Sequence, residues 1–274
     1  MAKHSSAHWE QLFTHGVETH ALLHPSEVQN YRTKTIRAGS YMEVEAYPIW
    51  NTANTVRAAR AAATRETQRN LNDRNAKRRI TRLINANFTP KDICVHLTYA
   101  TGELPDEQGA RRDIRNYIKR IRTLRRRLGL PELRYIYVIE FEDGEGTAVR
   151  VHHHVIMSGM DRDLAERTWK KGRANADRLQ PDETGFAAIA HYITKTRHCA
   201  KRWAGSRNLK EPIVTTSDSR LSRRRVARLA ADCSIAAKEI FENICKGYVF
   251  TDCVVRVSEL VAGAWIYARL RKRE

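Results

Sequence analysis

The stretch Arg150-Val151-His152-His153-His154-Val155-Ile156-Met157 decides the fold. Side chains along a strand alternate between its two faces, so Val151, His153, Val155 and Met157 fall on one side and Arg150, His152, His154 and Ile156 on the other. His152 and His154 therefore present their imidazoles together, close enough to share one divalent ion. An incidental polar strand face is the bland alternative, and an H-x-H pair alone does not exclude it. The preceding run, Arg134 to Glu142, argues against it. It alternates as well, with Tyr135, Tyr137, Ile139 and Phe141 on one face and Ile136, Val138, Glu140 and Glu142 on the other. Asp143 to Thr147 holds two glycines and closes a hairpin between the runs. Antiparallel pairing then brings Glu140 within about one residue step of His152 on the same face. Histidines opposite a carboxylate are hard to bury without a metal or a proton between them. Two imidazoles and a carboxylate also leave coordination positions open for a phosphate oxygen and water, which suits catalysis. Glu142 shares that face nearer the loop and is a reserve ligand. His153 points the other way and reads as a core histidine.

Outward from the hairpin, Ile93 to Thr98 alternates as a strand, with Cys94, His96 and Thr98 on the open side; His96 is left out of the ligand set. Arg111 to Leu128 reads as a helix with an apolar stripe of Ile114, Tyr117, Ile118, Ile121 and Leu128. A helix near Asp161 to Lys171, a weak strand near Ala174 to Leu179 and a helix from Thr184 to about Cys199 follow. The order β-α-β-β-α-β-α predicts an α+β fold, an RRM- or ferredoxin-like antiparallel sheet with an additional helix. Helices cover one face of such a sheet and the first and third strands lie at its centre, which leaves His152, His154, Glu140 and Thr98 on the open face.

The last helix carries His191-Tyr192-Ile193-Thr194-Lys195. Spacing of three puts the Tyr192 hydroxyl and the Lys195 ammonium on adjoining parts of one face. A phenol is mostly protonated at neutral pH, and a nearby cation favours the nucleophilic phenolate. Y-x-x-K occurs by chance in many helices, so its weight comes from position. Phe186, Ile189 and Ile193 form the packed stripe, and Tyr192 stands at its border.

Lys and Arg number 49 against 31 Asp and Glu, a formal charge of +18, which attracts polyanions and makes binding salt-dependent. Between Asn51 and Asn85 the chain has no Pro or Gly and few acids, and arginines recur through one long helix or two. Arg57, Arg60, Arg74, Arg78, Arg79 and Arg82 here, Arg120 and Arg126 on the next helix, and Arg197 are the candidate phosphate contacts; a merely solvated face is the bland alternative. Residues 1–90 are expected to form a basic, largely helical extension, 91–200 the core, and 201–274 a basic C-terminal region packing on or extending it. No stretch approaches a membrane span, and the N-terminus lacks the apolar core of a signal peptide, so no membrane partner and a cytoplasmic location are expected. Five cysteines without C-x-x-C spacing suggest neither a disulfide framework nor a thiolate zinc site.

These pieces resemble, in order, the motifs of the HUH endonucleases, most closely the single-tyrosine rolling-circle replication initiators of filamentous phages, related prophages and small plasmids. Cys94-Val95-His96-Leu97-Thr98-Tyr99 is similar to the first motif, Val151-His152-His153-His154-Val155 to the metal-binding second, and Tyr192-Ile193-Thr194-Lys195 to the third. The segments Arg82 to Phe88 and Ser206 to Pro212 also look like those of the prophage group. His96 and His153 stand where the family usually has other residue types, and Thr196 stands where a second tyrosine would be. The resemblance implies an HUH core, a Mg or Mn ion held by His152, His154 and Glu140, and Tyr192 attack that leaves a 5′-phosphotyrosine and a free 3′-hydroxyl, with Lys195 assisting. It also implies single-stranded origin DNA in a bacterial host as substrate. With no P-loop in the sequence, unwinding and synthesis fall to a host or phage helicase and polymerase. The same chemistry would serve a mobilisation relaxase, for which a longer histidine cluster would argue, or a single-tyrosine transposase. A non-catalytic DNA-binding sheet is the alternative of another class, but it would expose aromatics on its open face.

Overall fold

The computed structural model describes residues 28–50, 65–102, 104–142, 148–195, 203–231, 233–257 and 262–273. In chain order these form β1 (Val28–Ala38), β2 (Tyr41–Trp50), α1 (Arg65–Asn87), β3 (Ile93–Thr98), α2 (Glu107–Arg127), β4 (Tyr135–Glu142), β5 (Ala148–Met157) and α3 (Arg162–Arg167). Then come β6 (Ala174–Arg178), α4 (Ala187–Tyr192), β7 (Ala204–Gly205), β8 (Ile213–Ser217), α5 (Arg223–Ala231), α6 (Cys233–Ile244), β9 (Tyr248–Val257) and β10 (Ala264–Lys272). The fold is α+β, with two antiparallel five-stranded sheets in two compact units.

The unit formed by Leu83–Asp182 and Phe186–Glu211 contains the histidine strand. Its sheet has the order β6-β3-β5-β4-β7, the ferredoxin-like arrangement with the short β7 added at one edge. Ile93, Val95 and Leu97 of β3 and Val155 and Met157 of β5 pack with Ile114, Tyr117, Ile118 and Ile121 of α2 in one core. Asp106 starts α2 by accepting the Gly109 amide at 2.7 Å, four residues before the expected start. Leu128 leaves the expected stripe: it caps the end of α2 and is 48% exposed. Gly172, at φ +153°, lets the chain entering β6 pass against the end of β3, where a Cβ would lie 2.4 Å from the Thr98 carbonyl oxygen.

α4 is shorter than its sequence pattern suggests. It ends at Tyr192, where Thr194 turns its hydroxyl back to the Ala190 carbonyl at 2.6 Å and its amide to His191, the local bonding by which threonine competes with a continuing helix.

The second unit joins Met1–Arg82, Glu183–Gly185 and Pro212–Glu274, and its sheet has the order β8-β1-β2-β10-β9. This differs from the expected separation of a helical N-terminal extension from a C-terminal region, because β2 pairs with β1 on one side and with β10 on the other. Nearly every residue of β2 is buried, as a central strand requires. One face of the sheet packs on α5 and α6 through Val226, Leu229, Ala237, Ile240 and Phe241. The opposite face holds Glu43 and Glu45, both buried. Arg82 of α1 donates through Nε to Glu43 at 2.7 Å, and Arg78 lies 3.3 Å from Glu45 with its guanidinium 4.1 Å from the Tyr267 ring centroid.

Candidate metal centre and tyrosine site

Strand register assembles the site. β5 lies between β3 and β4, and pairing sets His154 opposite His96 and His152 opposite both Thr98 and Glu140. The three imidazoles meet on the face away from α2. The His96 and His154 rings stack at 4.7 Å, and His152 stands edge-on to both, at 5.0 Å from His96 and 5.1 Å from His154. One ligand nitrogen from each of His96, His152 and His154 lies within 4.8 Å of the others, so the cluster could hold a metal ion. Sequence reasoning left His96 outside that set, although its strand parity was the available signal.

Glu140 is 1% exposed and reaches both imidazoles of the H-x-H pair, 3.0 Å from His152 Nε2 and 3.6 Å from His154 Nε2. His152 Nδ1 is 2.8 Å from the Arg150 carbonyl oxygen, a bond that holds the ring proton on Nδ1 and turns the Nε2 lone pair toward Glu140. A lone pair facing a carboxylate repels it unless a cation lies between. The electrostatics agree. Burial disfavours the charged form of His152, but the Glu140 carboxylate and the Arg150 carbonyl outweigh it and raise the pKa. Burial would likewise raise Glu140, yet His152, His154 and Lys195 together bring it below the ordinary carboxylate range. His154 is held down to about 4, by burial first and then, despite Glu140, by the neighbouring His96, His152 and Lys195. His96 is lowered by burial and by His152. The buried atoms His96 Nε2, His154 Nε2 and both Glu140 oxygens lack hydrogen-bond partners. Orphaned lone pairs converging from imidazoles and a carboxylate fit a divalent cation and little else.

His153 faces the helices. Its Nε2 is 2.9 Å from the Tyr99 hydroxyl, its ring lies beside Trp169, and burial holds its pKa down to about 3. Trp169 donates to the Thr98 carbonyl at 2.8 Å, which ties the end of β3 to the same layer. The side chain of Glu142 lies outside the described residues.

α4 brings Tyr192 to the same face. Its ring meets His154 edge-on at 5.3 Å and is 54% exposed, so the hydroxyl-bearing side chain is open to a ligand. Lys195 sits between the two groups, with Nζ 3.5 Å from Glu140 and 4.9 Å from the Tyr192 ring centroid. The base of α4 is fixed by the Asn85 side chain, which accepts the Phe186 amide at 3.1 Å. Asn87, two residues on, bonds the Lys210 backbone in both directions, at 2.7 and 2.9 Å. The two sequence segments flanking the motifs thus form a clamp within this unit.

The arginines fall into separate groups. Arg57, Arg60 and Arg197 lie outside the described residues. Arg78 and Arg82 are engaged with Glu45 and Glu43, and each is 17% exposed, so their guanidiniums are largely committed within the protein. Arg74 and Arg79 lie on α1, the first half-buried and the second exposed. Arg120 and Arg126 are exposed on α2, across the sheet from the histidines. No described helix is long and apolar enough to cross a membrane.

Residues 92–197 match the family model of the Replication-associated protein ORF2 group. The matched segment contains the histidine cluster, Glu140, Tyr192 and Lys195, and it supports a replication initiator that binds DNA at an origin. No curated protein and no solved structure matches the chain.

Proposed function

We propose that the chain is a metal-dependent single-stranded DNA endonuclease of the HUH type that starts rolling-circle replication by nicking an origin through Tyr192. The observation that carries the reading is the cluster of partnerless imidazole and carboxylate lone pairs beside an exposed tyrosine with a lysine between them. His152 and His154, with Glu140 or His96 as third donor, would hold a divalent cation, and the imidazole-rich set fits Mn better than Mg. When bound, such an ion polarises the scissile phosphate. The Tyr192 oxygen attacks phosphorus, the bond to the 3′ oxygen breaks, and the phenolic proton is lost as the leaving 3′ oxygen gains one. The product is a 5′-phosphotyrosine that a later 3′-hydroxyl attack can reverse, so the strand can be resealed. Lys195 stabilises the phenolate and the charge that develops on the phosphate. Glu140 holds Lys195 and the histidines in place. The reaction belongs in the bacterial cytoplasm, with helicase and polymerase supplied by host or phage.

The test is incubation of the protein with single-stranded origin DNA and Mn, followed by a denaturing gel. A covalent adduct is expected from the wild type and none from Tyr192→Phe, whose ring still packs beside His154. An undiminished adduct from Tyr192→Phe overturns the assignment. One observation favours a second reading: His96 extends the histidine cluster to three, as a mobilisation relaxase would. Nicking of a plasmid transfer origin in preference to a replication origin would decide for it.

A further inference from the structure

The face of the ferredoxin-like unit away from the histidines carries a cleft of about 770 Å³ at the far end of β4. Its walls supply Arg122, Arg125, Arg126 and Arg207 against the one carboxylate of Glu132. Arg125 is buried in the floor and donates to the carbonyls of Pro131, Ser158 and Gly159, at 2.8 to 3.2 Å, so a permanent charge is held there by neutral groups. Arg122 lays its guanidinium over the Tyr135 ring, 5.5 Å from the centroid. Arg126 and Arg207 are exposed at the rim.

The rim is rigid where it matters. The Ser206 amide donates to the Tyr135 carbonyl at 2.9 Å, and the Tyr135 amide donates to the Ser206 hydroxyl at 3.2 Å, which fixes the neighbouring Arg207 beside the strand. A concave basic surface with a flat cation over an aromatic ring has the chemistry of a stacking platform for unpaired bases, with guanidiniums left over for the backbone phosphates.

We infer that this cleft is a second binding site for single-stranded DNA, in which a base stacks on the Arg122 and Tyr135 pair while Arg126 and Arg207 hold the adjoining phosphates. The inference rests on the reading of the chain as a single-stranded DNA nuclease. Tyr135 lies on the same strand as Glu140, roughly 17 Å away at the rise of a β-strand, so one DNA strand can occupy both places. A site of this kind anchors the strand some nucleotides from the nick and keeps it after cleavage, when one end is free. A duplex stem is a poorer occupant, because its bases are already stacked and cannot use the platform.

The experiment uses the full chain in metal-free buffer, so that cleavage does not interfere. Binding of a fluorescent single-stranded oligonucleotide is followed across salt concentrations for the wild type and for Arg122→Ala with Arg207→Ala. A second pair, Arg112→Ala with Arg115→Ala, removes the same charge from exposed positions of α2 outside the cleft. Affinity is expected to fall at least ~10-fold for the cleft pair, and the slope of log affinity against log salt to shrink by about 1.4, roughly 0.7 for each phosphate contact. The control pair should lose much less, and unfolding midpoints should match the wild type because all four side chains are exposed. Equal losses from both pairs would mean general charge attraction and overturn the site, as would a greater loss for duplex than for single-stranded DNA. Photo-crosslinking of an iododeoxyuridine oligonucleotide should map to Tyr135. Crosslinking there without any Tyr192 adduct in Mn would sink the nicking reading and leave the cleft standing; an adduct without crosslinking would do the reverse.

Discussion

Both sheets bury carboxylates on the face away from their principal helices, and they satisfy them in opposite ways. Glu43 and Glu45 meet Arg82 and Arg78, permanent cations delivered by α1, and the Tyr41 hydroxyl donates to Glu43 at 2.9 Å. Glu140 meets two imidazoles, of which His154 is held neutral, and a half-exposed lysine. A carboxylate neutralised by guanidiniums is complete within the protein and has nothing further to bind. One surrounded by imidazole lone pairs is complete only when a proton or metal arrives. That difference separates a structural ion network from a candidate reactive centre, although both contain buried glutamates.

The contrast is broken most sharply by removing ligands. His152→Ala with His154→Ala is expected to lower metal-dependent cleavage at least ~1,000-fold, since polarisation of the phosphate is worth several kcal/mol. The unfolding midpoint should stay near that of the wild type, because two charge-competing groups leave a site that had no internal partner for them. Retained cleavage by the double variant would remove the metal centre from the mechanism. In the other sheet the order is reversed. Glu43→Gln strands the Arg82 guanidinium beside a neutral amide and should cost about 3–5 kcal/mol of stability in denaturant unfolding. A loss under about 1 kcal/mol would show that Arg82 finds water or Glu45 instead.

The histidine strand and its partner were legible in the sequence because both are local. β4 and β5 are joined by one short loop, alternation fixes which side chains share a face, and the register sets Glu140 opposite His152. β1 was not legible. Its outward Arg32, Lys34 and Arg37 and its inward Thr33 and Thr35 blur the apolar alternation, and its partners β2 and β8 include one nearly two hundred residues away in the chain. α6 has no strong periodicity to announce it, and α4 is cut short by a threonine hydrogen bond that no pattern records. Arg78 and Arg82 read as a phosphate-contacting face because nothing local neutralises them. Their signal was a match of spacings: about 6 Å between positions one turn apart on a helix, against roughly 6.6 Å between Glu43 and Glu45 on one strand face.

Proton competition sharpens the comparison further. The pKa of His152 is raised, whereas those of His154 and His96 are lowered, so only His152 holds a proton that a metal must displace near neutrality. Above the His152 pKa the ring is neutral and free to ligate; as pH falls through it, a proton occupies the same lone pair. Metal affinity in a Mn titration should therefore drop about tenfold per pH unit below that point, with about one proton released per ion bound. A pH-independent affinity would place the ion away from His152.

The smallest effect is expected where the whole ion pair is exchanged for apolar side chains of similar size. Glu43→Leu with Arg82→Met removes both charges together, so neither is left buried and alone, and such replacements are often neutral or stabilising. Two groups lose a partner. The Tyr41 hydroxyl forfeits its acceptor, which costs about 1 kcal/mol, but the Tyr267 hydroxyl lies 3.4 Å away and can take its place. Glu45 loses its contact with Arg82 but keeps Arg78 at 3.3 Å. Stability within about 2 kcal/mol of the wild type is thus expected, well short of the Glu43→Gln deficit, because the protein loses no charge it cannot replace by packing. The affinity for single-stranded DNA, measured on the same variant, decides the role of α1. An unchanged value with an unchanged salt slope makes Arg82 a structural residue, whereas a slope smaller by about 0.7 would mean that its guanidinium also reaches a phosphate.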